Sequence, residues 1–147
     1  MQQKVNWEDL LKTEKDKISI EHIYPQTETA EWAKVFKGIS KKTRQAYSGS
    51  LGNLLLLSSA INSALQNDSF AVKKNQKFGA AGQKLRHGYC DGSHSEIEVS
   101  QSSEWGPEQI RNRGLQLLKF LESRWGISFA SEQDRERLLF LGSGNES

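Results

Sequence analysis

The stretch Lys17-Ile18-Ser19-Ile20-Glu21-His22-Ile23-Tyr24-Pro25-Gln26 decides how this chain folds. Polar and apolar residues alternate from 17 to 21 with the period of two that a short strand requires. Pro25, which has no N–H to donate, then ends ladder pairing. About thirty residues on, Leu51-Gly52-Asn53 leads into Leu54-Leu55-Leu56-Leu57, an apolar run too short for a helix and read as a second strand. Ser58-Ser59 can cap a helix over residues 60–66. Between the strands, residues 31–36 and 41–47 read as two short helical pieces separated by Gly38 and Ser40. The resulting order is strand, long insertion, strand, helix.

Outward from this core, residues 70–75 are expected to continue helically, with Phe70 inward and Lys73 and Lys74 exposed. Residues 76–103 are rich in Gly, Ser and other polar residues and are predicted to be loop-dominated. Gly106-Pro107-Glu108 has the pattern of a helix start, with Pro in the first turn and an acid beside the positive end of the dipole. Ile110, Leu117, Leu118, Leu121 and Trp125 follow as a 3.6-residue stripe closed by Gly126, and a small charged helix is expected around 135–141. At the other end, 5–16 reads as a short helix or leader with Trp7, Leu10 and Leu11 as docking residues. The expected class is α+β, mainly helical. A short two-stranded antiparallel sheet plus helix is surrounded by additional helices in a single domain over 1–147, with its core at about 17–75 and a C-terminal helical part at about 104–141.

Composition narrows the function classes. With 26% charged and 35% hydrophobic residues, the 147-residue chain suits one polar globular domain. No apolar run approaches the roughly 20 residues of a membrane span, and Met1-Gln2-Gln3-Lys4 is too polar for a secretory signal. Cys90 is the only cysteine, so no internal disulfide forms, and a cytoplasmic location without membrane partners is expected. The net charge of +2 conceals a segregation: residues 32–67 contain no Asp or Glu but hold Lys34, Lys37, Lys41, Lys42 and Arg44. Such a segment fits a phosphate-facing surface, with Lys41, Lys42 and Arg44 tracking a nucleic-acid backbone and Lys73 and Lys74 beside the cut. The rival reading is a solvated helix face that lacks acids.

The chemistry-bearing residues are Glu21, His22, Asn53 and Asn62. Phosphodiester hydrolysis needs an activated water, a counter-charge for the transition state and stabilisation of the leaving oxygen. Mg²⁺ takes few protein ligands and keeps several waters, so Glu21 and Asn62 suffice as metal ligands. His22 is the candidate general base, because neutral imidazole is abundant at pH 7. Asn53 either orients the His22 ring or bonds the backbone of the insertion and shapes the loop. In a regular strand, Glu21 and His22 point to opposite faces, so a shared site requires the chain to leave strand geometry there. Each residue alone is an ordinary surface, turn or helix residue; their conjunction carries the reading.

Residues 19–26, Ser-Ile-Glu-His-Ile-Tyr-Pro-Gln, resemble the Asp/Glu-His-Ile-x-Pro-Gln signature of His-Asn-His (HNH, ββα-metal) endonucleases. Leu51-Gly52-Asn53-Leu54, Asn62, Asn67, Phe70-Ala71-Val72-Lys73-Lys74, Asp91-Gly92-Ser93 and the run from Trp105 to Arg113 are similar to the C-terminal nuclease domain of GmrSD-type modification-dependent restriction enzymes. This resemblance implies a ββα-metal core, with Glu21 and Asn62 on one divalent cation (Mg²⁺ or Mn²⁺), His22 as base and Asn53 as the middle residue. It implies DNA as substrate, restriction of phage or modified foreign DNA, and a C-terminal position behind a ParB-like nucleotide-hydrolysing domain. Two departures stand out: Glu21 where many such sites carry Asp, and Asn62 where the last position is often His.

Two rivals remain. His87, Cys90 and His94, with Asp91 as a fourth donor, are loosely spaced like a zinc site, but a structural zinc site usually draws on paired cysteines. A non-catalytic nucleic-acid-binding module retaining the same fold would use the basic segment and leave Glu21 idle.

Overall fold

In the computed structural model, which describes residues 17–141, β1 (Ile18–His22) and β2 (Leu54–Ser58) pair antiparallel, with Ile20 opposite Leu56 and His22 opposite Leu54. Helix α3 (Ser59–Leu65) follows β2 without a loop, and the Ser58 hydroxyl accepts from the Ile61 N–H to cap it. Between the strands lie α1 (Ala30–Val35), α2 (Lys41–Gly49) and a 3₁₀ turn, Leu51–Asn53. The chain thus forms an α+β fold around a ββα-type core.

The alternation in β1 makes a strand but inverts its usual faces. Leu55 and Leu57 of β2 enter the core, and the residues opposite them are Glu21 and Ser19. Ile18, Ile20 and Leu56 are instead exposed on the outer face. Polar groups turned inward must find polar partners, and those partners build the site described below.

Helix α3 ends where Gln66 takes a positive φ of 44°, and α4 (Phe70–Lys74) begins four residues later. The loop expectation for 76–103 is corrected. That segment holds a hairpin of β3 (Lys77–Phe78) and β4 (Lys84–Arg86), a 3₁₀ turn at Tyr89–Asp91, and α5 (His94–Ser100). The strands are too short to show a period. Helix α5 is announced only by its capping box, in which the Glu96 carboxylate accepts from the Ser93 N–H.

Helix α6 (Pro107–Trp125) starts at the expected proline and stops at Gly126 in the left-handed region, φ 63°. Its buried stripe is Ile110, Gly114, Leu115 and Leu118, while Trp125 is exposed. The stripe passes through a glycine that hydrophobic periodicity cannot register. A Cβ at Gly114 would lie 2.9 Å from the Leu139 side chain, which packs there from just beyond α7 (Glu132–Leu138). The charged helix therefore begins three residues earlier than predicted. Gly52 of the 3₁₀ turn meets the same helix so closely that a Cβ would fall 1.9 Å from the Ile110 carbonyl oxygen. Trp7, Leu10 and Leu11 lie outside the described residues.

The main core gathers Ile23, Tyr24, Trp32, Phe36, Leu55, Leu57, Leu65, Phe70, Tyr89 and Trp105 around the sheet. Tyr24 stacks on Phe36 at 4.0 Å between ring centroids. A smaller cluster of Leu115, Leu118 and Leu139 joins α6 to α7.

Candidate active site

The C-terminal end of β1 opens onto a shallow cleft of about 300 Å³ lined by Ile20, Glu21, His22, Pro25, Gln26, Thr27, Asn62, Gln66 and Asn67. Glu21, His22 and Asn62 therefore border one cavity, although 41 residues separate the outer two. Asn53 does not border it.

Glu21 is almost wholly buried. Its Oε1 accepts from the Lys73 ammonium at 2.6 Å and from the Tyr89 hydroxyl at 2.7 Å. The second carboxylate oxygen, Oε2, accepts no hydrogen bond among the described residues. Lys73 was predicted on the surface, and this is corrected: it is 0% exposed, and its other two donors reach the His22 and Ile23 carbonyl oxygens at 3.1 Å each. All three of its N–H groups are used inside the protein, so none faces a phosphate. Burial pushes the Lys73 pKa down while Glu21 pulls it back up. The same carboxylate, together with burial, holds the Tyr89 hydroxyl well above its ordinary range.

His22 is half-buried. Burial lowers its pKa, Glu21 opposes this and Lys73 adds to it. The net direction favours neutral imidazole, the form that accepts a proton.

Asn53 has no exposed surface, and its whole amide is committed. Oδ1 accepts from the Tyr24 N–H at 2.8 Å and the Trp105 indole at 3.2 Å; Nδ2 donates to the Tyr24 and Ser48 carbonyls at 2.9 Å each. The Asn53 carbonyl also accepts from the Ile23 N–H. None of these bonds goes to the imidazole. Of the two roles the sequence left open, the structure displays the contacts of the second, shaping the loop that follows His22.

Asn62 donates to the Ser19 hydroxyl at 2.8 Å and the Ile20 carbonyl at 2.9 Å, which fixes the amide against the open edge of β1. Its Oδ1 accepts nothing among the described residues. Glu21 Oε2 and Asn62 Oδ1 are thus two hard oxygen donors bordering one cleft, a set that fits a Mg²⁺-like ion keeping several waters. Among the described residues, no group of three or more His, Cys, Asp or Glu side chains is placed to hold a metal, which leaves the zinc reading without support. Asp91 instead accepts from His87, Lys84, Gln76 and the Gly88 N–H; although burial opposes ionisation, these bonds hold its carboxyl far below the usual range.

The basic residues divide by environment. Lys41 and Lys42 are exposed. Arg44 is half-buried and tied to the Ile39 carbonyl and to Glu28 at 2.7 Å; Lys74 donates to the Ser102 carbonyl and lies over the Phe70 ring. Lys41, Arg44 and Gln45 line a larger cavity of about 670 Å³, which shares Pro25, Gln26 and Thr27 with the cleft. Tyr89 is the neighbour of the site that no local sequence signal disclosed, and the sequence presents Lys73 only as a surface cation.

With this geometry in place, comparison with known families is decisive: the family model described as the GmrSD restriction endonuclease C-terminal domain matches residues 2–120. The chain belongs to this family. No curated protein and no solved structure matches it. Membership gives the GmrSD domain a nuclease role in restriction, and DNA is the substrate that role implies. The matched span contains every residue of the cleft and the partners Lys73, Tyr89 and Trp105, and it ends within α6. No helix among the described residues of the GmrSD domain is long and apolar enough to cross a membrane.

Proposed function

We propose that this domain is an HNH-type, metal-dependent DNA endonuclease with His22 as general base and one divalent cation, Mg²⁺ or Mn²⁺, and that it restricts phage or modified foreign DNA. The observation that carries the reading is the convergence of Glu21, His22 and Asn62 on one cleft, with an oxygen of Glu21 and one of Asn62 accepting no hydrogen bond among the described residues.

His22 takes a proton from water. The hydroxide oxygen then bonds to phosphorus as the bond to the leaving sugar oxygen breaks, and solvent protonates that oxygen. Glu21 Oε2 and Asn62 Oδ1 would hold the cation, which when bound supplies charge stabilisation at the phosphoryl and leaving oxygens. Because Lys73 offsets the Glu21 charge, the site carries little net negative charge and binds the ion weakly in the absence of DNA. The exposed Lys41 and Lys42 and the cavity beyond Gln26 and Thr27 give the strand a path away from the cut. In the full-length protein, an upstream ParB-like nucleotide-hydrolysing domain supplies target recognition.

Plasmid nicking by the full-length protein tests this. His22→Ala is expected to lower the rate by about 10²–10⁴-fold, and Asn62→Ala to raise the Mn²⁺ concentration needed for half-maximal cleavage. Wild-type nicking by His22→Ala would sink the reading. Metal-independent DNA binding without cleavage in any divalent ion would favour a non-catalytic binding module.

A further inference from the structure

Successive carbonyls of a strand leave on opposite sides. On β1, the Ile20 carbonyl accepts from Asn62 and the His22 carbonyl from Lys73, two residues apart, as the alternation requires. In a continuing strand the Ile23 carbonyl would face the other way, toward β2. It accepts from the same Lys73 ammonium instead. One cation therefore collects two consecutive carbonyls, and the chain leaves strand geometry at Ile23, whose N–H still pairs with the Asn53 carbonyl while its own carbonyl has turned away from β2. Glu21 and His22 both precede that departure, opposite Leu55 and Leu54 in the ladder, and border one cleft where the strand ends.

We infer that Lys73 is a positioning residue for this site: its buried ammonium ties the Glu21 carboxylate to the His22 and Ile23 carbonyls, and so fixes the end of β1 that carries His22 against the cleft. The arrangement suits lysine. Three donors on a flexible stem satisfy three acceptors whose directions diverge. The carboxylate contributes Oε1 to the clamp, while Oε2 remains for a ligand. From the other side, Asn53 grips the Tyr24 N–H and carbonyl, so the four residues 21–24 are held between two amide or ammonium clamps from distant parts of the chain. Tyr89 touches only the carboxylate and neither carbonyl, which separates the two functions experimentally.

This inference rests on reading His22 as the base, but its central test does not require turnover. The chain has three histidines. In ¹H–¹³C spectra of the full chain, Lys73→Met is expected to displace the His22 ring resonances and leave those of His87 and His94 in place. Tyr89→Phe is expected to leave His22 far less disturbed. In cleavage assays, Lys73→Met should lower kcat by about 100-fold with little change in the KM for DNA, as expected of a misplaced reacting group.

An unmoved His22 resonance in a folded Lys73→Met protein would overturn the inference, as would equal displacement by Tyr89→Phe. If Lys73→Met does not fold, the wild-type chain decides the question: hydrogen-bond scalar couplings from Lys73 Nζ to the His22 and Ile23 carbonyl carbons are expected, and their absence would overturn the inference. An inactive wild-type protein with the expected His22 displacement would defeat the nuclease reading and spare the positioning one.

Discussion

Asn53 bonds both the amide N–H and the carbonyl oxygen of Tyr24, 29 residues earlier in the chain, and so takes the place of a strand neighbour where β1 has already ended. The side chain imitates a peptide unit. With Ser48 and Trp105 as its further partners, it ties together the loop after β1, the end of α2 and the segment entering α6.

Asn53→Ala strands three buried groups at once, the Tyr24 N–H, the Ser48 carbonyl and the Trp105 indole, and leaves the Tyr24 carbonyl with only the Ser48 hydroxyl. A loss of roughly 3–5 kcal/mol is expected in denaturant unfolding, since each unsatisfied buried group costs about 1–3 kcal/mol and the losses overlap. Asn53→Asp should be no milder, because a buried anion would then face two carbonyl oxygens. A loss below about 1 kcal/mol for the alanine variant would contradict the described network.

The acid limb of the rate should report His22. Burial lowers its pKa, and only the neutral ring can take a proton from water. Cleavage is therefore expected to rise with pH through a midpoint below the ordinary histidine value of 6.5 and to be flat above it. Measurements at saturating metal give the relevant limb. A midpoint above 6.5 would mean that the Glu21 charge outweighs burial and Lys73.

Gly52 is required by a close approach rather than by a turn. A Cβ there would meet the Ile110 carbonyl oxygen at 1.9 Å and the Gly114 nitrogen at 2.7 Å, both backbone atoms that cannot swing aside. Gly52→Ala should force the 3₁₀ turn off α6 and cost about 3 kcal/mol or more. The comparison is Gly49→Ala, which meets nothing within 4 Å and should be nearly silent in thermal melts.

The cations near the cleft should separate by salt dependence. Lys41→Ala is expected to weaken DNA binding uniformly across sequences and reduce the slope of log K against log salt by about 1. Arg44→Ala should leave that slope nearly unchanged, because the Arg44 guanidinium is already paired with Glu28 and the Ile39 carbonyl. Equal slope changes for the two variants would refute the division between exposed and internally committed cations.

The legible parts of the fold are those whose signals are local. Period-two alternation, Pro25 and the serines at 58–59 predict strand, insertion, strand and helix, and Gly106-Pro107 and Gly126 bracket α6. Inside and outside were harder to read. The apolar residues of β1 face outward because Ser19 and Glu21 find polar partners within, and those partners lie 43, 52 and 68 residues away. Lys73 looked like a solvated helix end because a lysine is rarely buried unless paired, and its pair belongs to a different element. The stripe of α6 was misread at Gly114 for a related reason: the groove there is filled by Leu139, not by a side chain of the helix itself.

The groups that hold residues 21–24 come from Asn53, Lys73 and Tyr89, and the Trp105 indole that bonds Asn53 follows them along the chain. A nascent polypeptide emerging from the ribosome thus exposes the histidine and its neighbouring acid long before the indole that completes the Asn53 network has been synthesised. Competence arrives late in translation, and a growing chain stopped short of residue 105 holds the reactive pair without the scaffold that aligns it.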